Sequence, residues 1–279
     1  MDAFPARGPA GARAGPGSGS AVRARRGALA PAAGPGFRAL RAELHSAVDG
    51  DAVRGLVITR YGHGLGLNRI GGVEIVEAGH PIPDDAGNAA AARILDLVIG
   101  CGENDLVLCL LSGGGSALLA LPAKGITLAD KQSVTHALIS SGATIDEINC
   151  VRKHLSAVKG GRLAVGAYPA PVVTLAISDV SGDDPSVIAS GPTTVDPTTF
   201  ADARDILTKF AIEPPAAISY HLSAAAVETP KPGDPRLHGG NLHIIAAAKQ
   251  ALDAAAHSAR TAGYEAIILG DAIQGEARD

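Results

Sequence analysis

The sequence predicts an α/β fold, in which a parallel or mostly parallel sheet is covered by helices on both faces. Three observations carry that prediction. Short apolar runs recur at Gly55 to Tyr61 (GLVITRY), Val73 to Glu77 (VEIVE), Leu106 to Leu111 and Pro171 to Ile177 (PVVTLAI), and each has the length of a strand. Longer segments of helical pattern lie between them. Two of those segments open with a threonine followed three positions later by an acid, Thr127 with Asp130 and Thr144 with Glu147, the pattern of a capping box.

Residues 1–36 consist of Ala, Gly, Pro, Arg and Ser apart from Met1, Asp2, Phe4, Val22 and Leu29. They show no periodicity, and such a segment buries too little apolar surface to offset its ordering entropy. It reads as a targeting peptide, a disordered tail or a stretch outside the natural reading frame. Periodic character begins near residue 54 with the first two strands. Ala86 to Val98 follows a proline-rich turn and is helical in pattern. The third strand, Leu106 to Leu111, precedes the two capped helices, and Pro171 to Ile177 is the fourth. Asp202 to Phe210 is helical, and Leu242 to Ile245, Ala246 to Gly263 and Ala266 to Leu269 complete a strand, helix, strand unit.

Composition sets bounds. A chain of 279 residues is one large domain or two small ones, at roughly 150 residues per domain. Aromatic residues are only 3%, so the core must be built from Ala, Val, Leu and Ile. A net charge of −4 gives no support for nucleic acid or an acidic membrane surface as partner. Cys101, Cys109 and Cys150 share no metal-type spacing and read as small buried hydrophobes in a reducing cytoplasm. No stretch is long and apolar enough to span a bilayer as a helix.

The most informative stretch is Ser112-Gly113-Gly114-Gly115-Ser116, directly after the third strand. Glycines let successive backbone N–H groups converge, and two hydroxyls add donors, which suits phosphate or carboxylate. The alternative is a tight strand-to-helix turn with no ligand. A Walker A loop would need Gly-Lys-Ser/Thr, which is absent, and a dinucleotide fingerprint would need glycine where Leu118 stands.

Three polar clusters follow. Glu147 to Ser156, closed by Lys159-Gly160-Gly161-Arg162, is either a solvated amphipathic helix or a segment in which Arg152 and Lys159 neutralise a polyanion while Asn149 and Glu147 orient it. Ser178 to Pro185 places Asp179, Asp183 and Asp184 at a strand end; they form a solvated turn or hold a hard cation such as Mg²⁺ together with phosphate. Ile188 to Thr193, with Ser190 and Gly191, reads alone as an ordinary turn. Together the clusters offer an anion cradle, fixed cations and a Mg²⁺ site, the parts that phosphoryl transfer requires.

At these residues the chain resembles the glycerate 2-kinase family, whose carboxy-terminal part is the MOFRL domain. The matching stretches are Thr59 to Gly64, Glu77 to Pro81, Leu111 to Leu118, Glu147 to Arg162, Ser178 to Asp184, Ile188 to Thr193, and Gly270-Asp271 with Glu276-Ala277-Arg278. The likeness runs almost continuously over residues 54–279. It implies a Rossmann-like three-layer sandwich and ATP-dependent phosphorylation of D-glycerate to 2-phosphoglycerate with Mg²⁺. The polar clusters read above give catalytic roles to Arg152, Lys159 and Asp179. Nucleotide contacts fall to Ser112, Gly113, Gly114, Gly115, Ser116, Glu147, Asn149, Ser190 and Gly191, and the metal to Asp179, Asp183 and Asp184. The expected partners are D-glycerate and ATP in the cytoplasm, with a homodimer allowed and neither nucleic acid nor membrane.

Two departures from the family pattern stand out. Members carry an early strand leading into a Gly-x-Gly-Lys turn, whereas the first lysine here is Lys124. Residues 1–53 are therefore expected to be low-complexity, disordered or mis-framed. The chain also stops before the MOFRL domain, so residues 54–279 are expected to be a fragment, inactive or nearly so by itself. Members are sometimes labelled hydroxypyruvate reductases, and an NAD(P)-dependent reductase is the first alternative, against which the missing dinucleotide fingerprint speaks. A non-catalytic domain that binds a phosphorylated metabolite is the second.

Overall fold

The computed structural model describes residues 25–27, 53–64 and 66–271. Among them lie seven strands and eight α-helices. The strands are β1 (Arg25–Gly27), β2 (Arg54–Arg60), β3 (Arg69–Ile70), β4 (Val73–Ala78), β5 (Val107–Leu111), β6 (Val172–Ile177) and β7 (Asn241–Ala246). The helices are α1 (Asp85–Ile99), α2 (Gly115–Leu118), α3 (Leu128–Ser140), α4 (Ile145–His154), α5 (Arg162–Ala167), α6 (Phe200–Lys209), α7 (Ala216–Ala224) and α8 (Ala248–Thr261).

The strands form two sheets, β1-β2-β4-β3 and β5-β6-β7. Every pairing is parallel except the short β3–β4 pair, as the sequence predicts. Five successive residues of β2, Gly55 to Thr59, are buried, the mark of a parallel strand covered on both faces. Strand β1 lies inside the segment in which the sequence shows no strand periodicity. The rest of residues 1–52 lies outside the described residues, as does the Glu276 to Arg278 match.

The apolar residues sort into two cores. One joins β2, β5 and β6 with α1 and α5, through Leu56, Ile58, Ala91, Ile94, Cys109 and Leu163. The other is purely helical, with Val134 and Leu138 of α3, Ile148 and Val151 of α4, Phe200 and Leu207 of α6 and Leu222 of α7. Thr127 and Thr144 form the predicted capping boxes, and Thr199 with Asp202 forms a third at α6. The predicted strand Ala266 to Leu269 does not form. Ile267 and Leu269 are 78% and 83% exposed, and no described strand pairs with them. An apolar run becomes a strand only with a hydrogen-bonding neighbour.

Candidate functional site

Strand register sets the site. Leu111 pairs with Ala176, so β5 and β6 release their following loops side by side at the carboxyl end of the sheet. The first loop is Ser112–Gly114 and the second begins at Ser178. A side chain on Gly113 would run into the Asp179 carboxylate. Gly114 has φ +81°, and a Cβ there would stand 2.8 Å from His80 Nε2. A Cβ on Gly115 would stand 2.9 Å from that of Ala189. Each of the three glycines is thus held against a different neighbour. Among the described residues the N–H groups of Gly113 and Gly114 have no acceptor, so the loop keeps two successive donors.

A buried relay lies beneath the loop. Lys159 is 1% exposed and donates to Ser116 O at 2.9 Å, Ser116 Oγ at 3.2 Å and Ala189 O at 3.1 Å. Ser190 Oγ donates to Asn149 Oδ1 at 3.0 Å. The Ser190 proton being spent there, Ser116 Oγ must donate to Ser190 Oγ across their 2.8 Å contact. Two consequences follow. Ser116 offers no free hydroxyl proton to a ligand, against the sequence expectation that both loop hydroxyls add donors. Lys159 as an ammonium has all three hydrogens committed within the protein. Burial, with Lys131 and Arg152 nearby, pushes Lys159 well below the ordinary lysine value.

The Ala189 turn that completes this relay is strained. Ala189, Ser190 and Gly191 have φ of +53°, +61° and +57°, and the first two carry side chains. Such residues cost on the order of 1–3 kcal/mol each and persist where the surroundings enforce them. Here Gly160 N–H donates to Ser190 O at 3.1 Å and Gly161 N–H to Gly191 O at 2.7 Å. Gly160 and Gly161 are themselves left-handed, and a Cβ on Gly161 would meet Pro230 Cγ at 2.5 Å. The Lys159-Gly160-Gly161 and Ala189-Ser190-Gly191 segments therefore clamp one another.

Next to the relay is a pocket of about 270 Å³ at the junction of the two cores. Three cations line it: Lys131 from α3, Arg152 from α4 and Lys159. Among the described residues, no carboxylate does. Lys131 is 6% exposed, and its Nζ has no hydrogen-bond partner among the described residues. Burial, and secondarily Arg152, pushes it down to about 7. Burial likewise lowers Arg152. Sequence reasoning missed Lys131. Its only signal was a lysine in the first turn of a capped helix, where an acid is the usual choice.

The remaining expected site residues divide. Ser112 is buried at the base of the loop. Asp179 is exposed and faces the glycines. Asp184 Oδ1 instead accepts the Ser186 N–H at 2.7 Å, and Asp183 occupies a left-handed turn. Among the described residues no three His, Cys, Asp or Glu side chains gather as a metal set. Glu147 lies at the far end of α4 from Arg152, where it accepts from Thr144 N–H at 2.9 Å and from Lys209 Nζ at 2.6 Å. Those two bonds explain why its carboxyl is held below the usual range.

Comparison with known proteins adds the following. Residues 20–223 match the family described as "Domain of unknown function (DUF4147)", so the match begins inside the amino-terminal segment that composition sets apart. The chain is 50% identical over 252 residues to an Agrobacterium vitis protein named "Putative hydroxypyruvate reductase", covering 88% of this chain and 55% of that protein. It is 45% identical over 226 residues to a D-glycerate 2-kinase of Thermotoga maritima, covering 81% of this chain and 52% of the kinase. The crystal structure of a Thermotoga maritima glycerate kinase superposes with a TM-score of 0.75 at 41% identity, over 88% of this chain and 56% of that one. The chain thus spans about half the length of the curated relatives it matches.

Proposed function

Because the chain belongs to the DUF4147 family, we propose that it forms the phosphate- and acid-binding part of an ATP-dependent glycerate 2-kinase, which transfers a phosphoryl group to the 2-hydroxyl of D-glycerate. The observation that carries this reading is the convergence of a glycine loop with free N–H groups and a pocket of three cations without a carboxylate. Phosphoryl transfer needs positioning and fixed charge more than covalent chemistry from the protein. The Thermotoga maritima relative is named D-glycerate 2-kinase, which supports the same substrate here.

The residues present fit ATP and Mg²⁺. A Cβ on Gly113, Gly114 or Gly115 would run into Asp179, His80 or Ala189, so only glycine lets the backbone pass this close to them, and the N–H groups of Gly113 and Gly114 are the donors that would meet phosphate oxygens. Asp179 beside that loop would repel phosphate unless a cation stood between them, so Asp179 is the residue to hold Mg²⁺, with phosphate oxygens and water completing its shell. Bound Mg²⁺ would neutralise charge on the phosphates. Lys159 and Ser116 fix the loop against the Ala189 turn, Asn149 orients Ser190, and Arg152 supplies a positive charge at the pocket. The proposed setting is the cytoplasm, with small molecules as partners.

The test is a coupled assay of ADP formation from ATP, Mg²⁺ and D-glycerate on the longest natural form of this chain, with NMR identifying the product. Formation of 2-phosphoglycerate is expected. Oxidation of NADH or NADPH by hydroxypyruvate, with no ADP formed from glycerate, would assign the function to the reductase instead.

A further inference from the structure

Among the described residues, two of the three pocket cations have nothing to neutralise them. Lys131 Nζ is buried and unpartnered, and Arg152 makes no hydrogen bond or ion pair among the described residues. Lys159 differs, because its three hydrogens are already taken. The charged or titratable groups that face the pocket are Lys131 and His136 of α3, Arg152 of α4 and Lys159. Buried cations that repel one another with no acid nearby lower stability, unless an anion from outside completes the site.

We propose that Lys131 and Arg152 together bind the carboxylate of the small hydroxy acid, and so select acids over neutral polyols. This deepens the kinase reading and rests on it for the identity of the acid. Three features favour a carboxylate on a short carbon chain. A guanidinium offers paired donors to one carboxylate, and an ammonium beside it adds a point charge. The volume of about 270 Å³ lies just below the usual range for ligand pockets, roughly 300–1,000 Å³, which suits a small acid and excludes a whole nucleotide. Ile82, Leu128 and Ile139 give the same pocket apolar wall for the carbon skeleton. Ser116 belongs to both pocket and glycine loop, so an acid anchored at Lys131 lies beside the place where phosphate would be held.

The experiment is calorimetric titration of the chain with D-glycerate, with glycerol as the neutral counterpart and with inorganic phosphate as the competing anion. D-glycerate should bind and glycerol should not. Lys131→Met and Arg152→Met should each weaken D-glycerate on the order of a hundredfold, as when a buried charge loses its partner, with a smaller change for ATP. Lys131→Met should also raise the melting temperature, since it removes an unpaired buried charge; Arg152→Met carries the test if the first variant misfolds. Near pH 8 Lys131 should take up a proton as the acid binds, so the measured heat should depend on the buffer's ionisation enthalpy in the wild type and not in Lys131→Met. Absence of D-glycerate binding, equal binding of glycerol, unchanged affinity in both variants, or phosphate as the sole ligand would each overturn the proposal. D-glycerate bound through Lys131 without any ADP formed would leave it standing and remove the kinase reading. ADP formed with the glycerate KM unmoved in Lys131→Met would do the reverse.

Discussion

The three glycines of the Ser112–Ser116 loop are not equivalent. Gly114 needs its left-handed backbone, so any side chain there is strained as well as pressed on His80. Gly113 has an ordinary φ, and its neighbour is the end of an exposed, movable carboxylate. Gly113→Ala should therefore fold, with a melting temperature close to that of the wild type, while the methyl group displaces Asp179. If Asp179 holds Mg²⁺, the gain in ATP affinity that Mg²⁺ brings should drop about tenfold or more, on the scale of losing one charge-assisted contact. Titration of ATP with and without Mg²⁺ measures that gain. A gain as large in Gly113→Ala as in the wild type would remove Asp179 from the metal site.

At the scale of elements, α4 is the helix on which the site depends, because it carries both Asn149 and Arg152. Its start is fixed by Thr144 and Glu147, and Glu147 is tied in turn to Lys209 on α6. Glutamine preserves a capping box but not an ion pair. Glu147→Gln should thus cost less than about 1 kcal/mol, as an exposed pair does, and leave ATP affinity unchanged. Thr144→Ala should cost about 1 kcal/mol through the lost cap, or about 2–4 °C in melting temperature. A large loss of ATP affinity in a folded Glu147→Gln variant would restore this residue to the nucleotide site. The same helix shows what the sequence makes legible. Local signals such as the two capping boxes, the strand runs and the loop glycines can be read from neighbours in the chain, and they reappear in the structure. Lys131 cannot be read that way, since its burial depends on α3 meeting α4 in a separate helical core. The direction of the Ser116 proton cannot either, because it is set by Ser190 and Asn149, 74 and 33 residues away in sequence. Ala266 to Leu269 fails in the opposite sense, having a strand pattern with no described strand beside it.

At the scale of the whole molecule, the site is a source of instability that pH can reveal. Lys131 is held down to about 7 by burial, whereas an unfolded lysine titrates near 10.5. Between those values the unfolded chain binds more protons than the folded one, so stability rises with pH through that window. Lys159 is lowered by the same cause and acts in the same direction. The cysteines oppose this at higher pH. Burial pushes Cys109 up to about 12 and Cys150 up to about 11, from an unfolded value of 9. Above about pH 9 the unfolded thiols lose protons that the folded ones keep, and stability falls. The melting temperature of the ligand-free chain should therefore climb from pH 7 to a maximum between about pH 9 and 10 and then decline. Lys131→Met should start higher at pH 7 and climb less, because one of the two lysine contributions is gone. Saturating D-glycerate should flatten the wild-type rise, since an anion beside Lys131 brings its folded value back toward that of the unfolded chain. Thermal melts at intervals from pH 6.5 to 10, with and without D-glycerate, measure all three slopes. A ligand-free wild-type curve that is flat or falling between pH 7 and 9 would show that Lys131 keeps its proton in the empty pocket, and that its charge is balanced by something other than a bound acid.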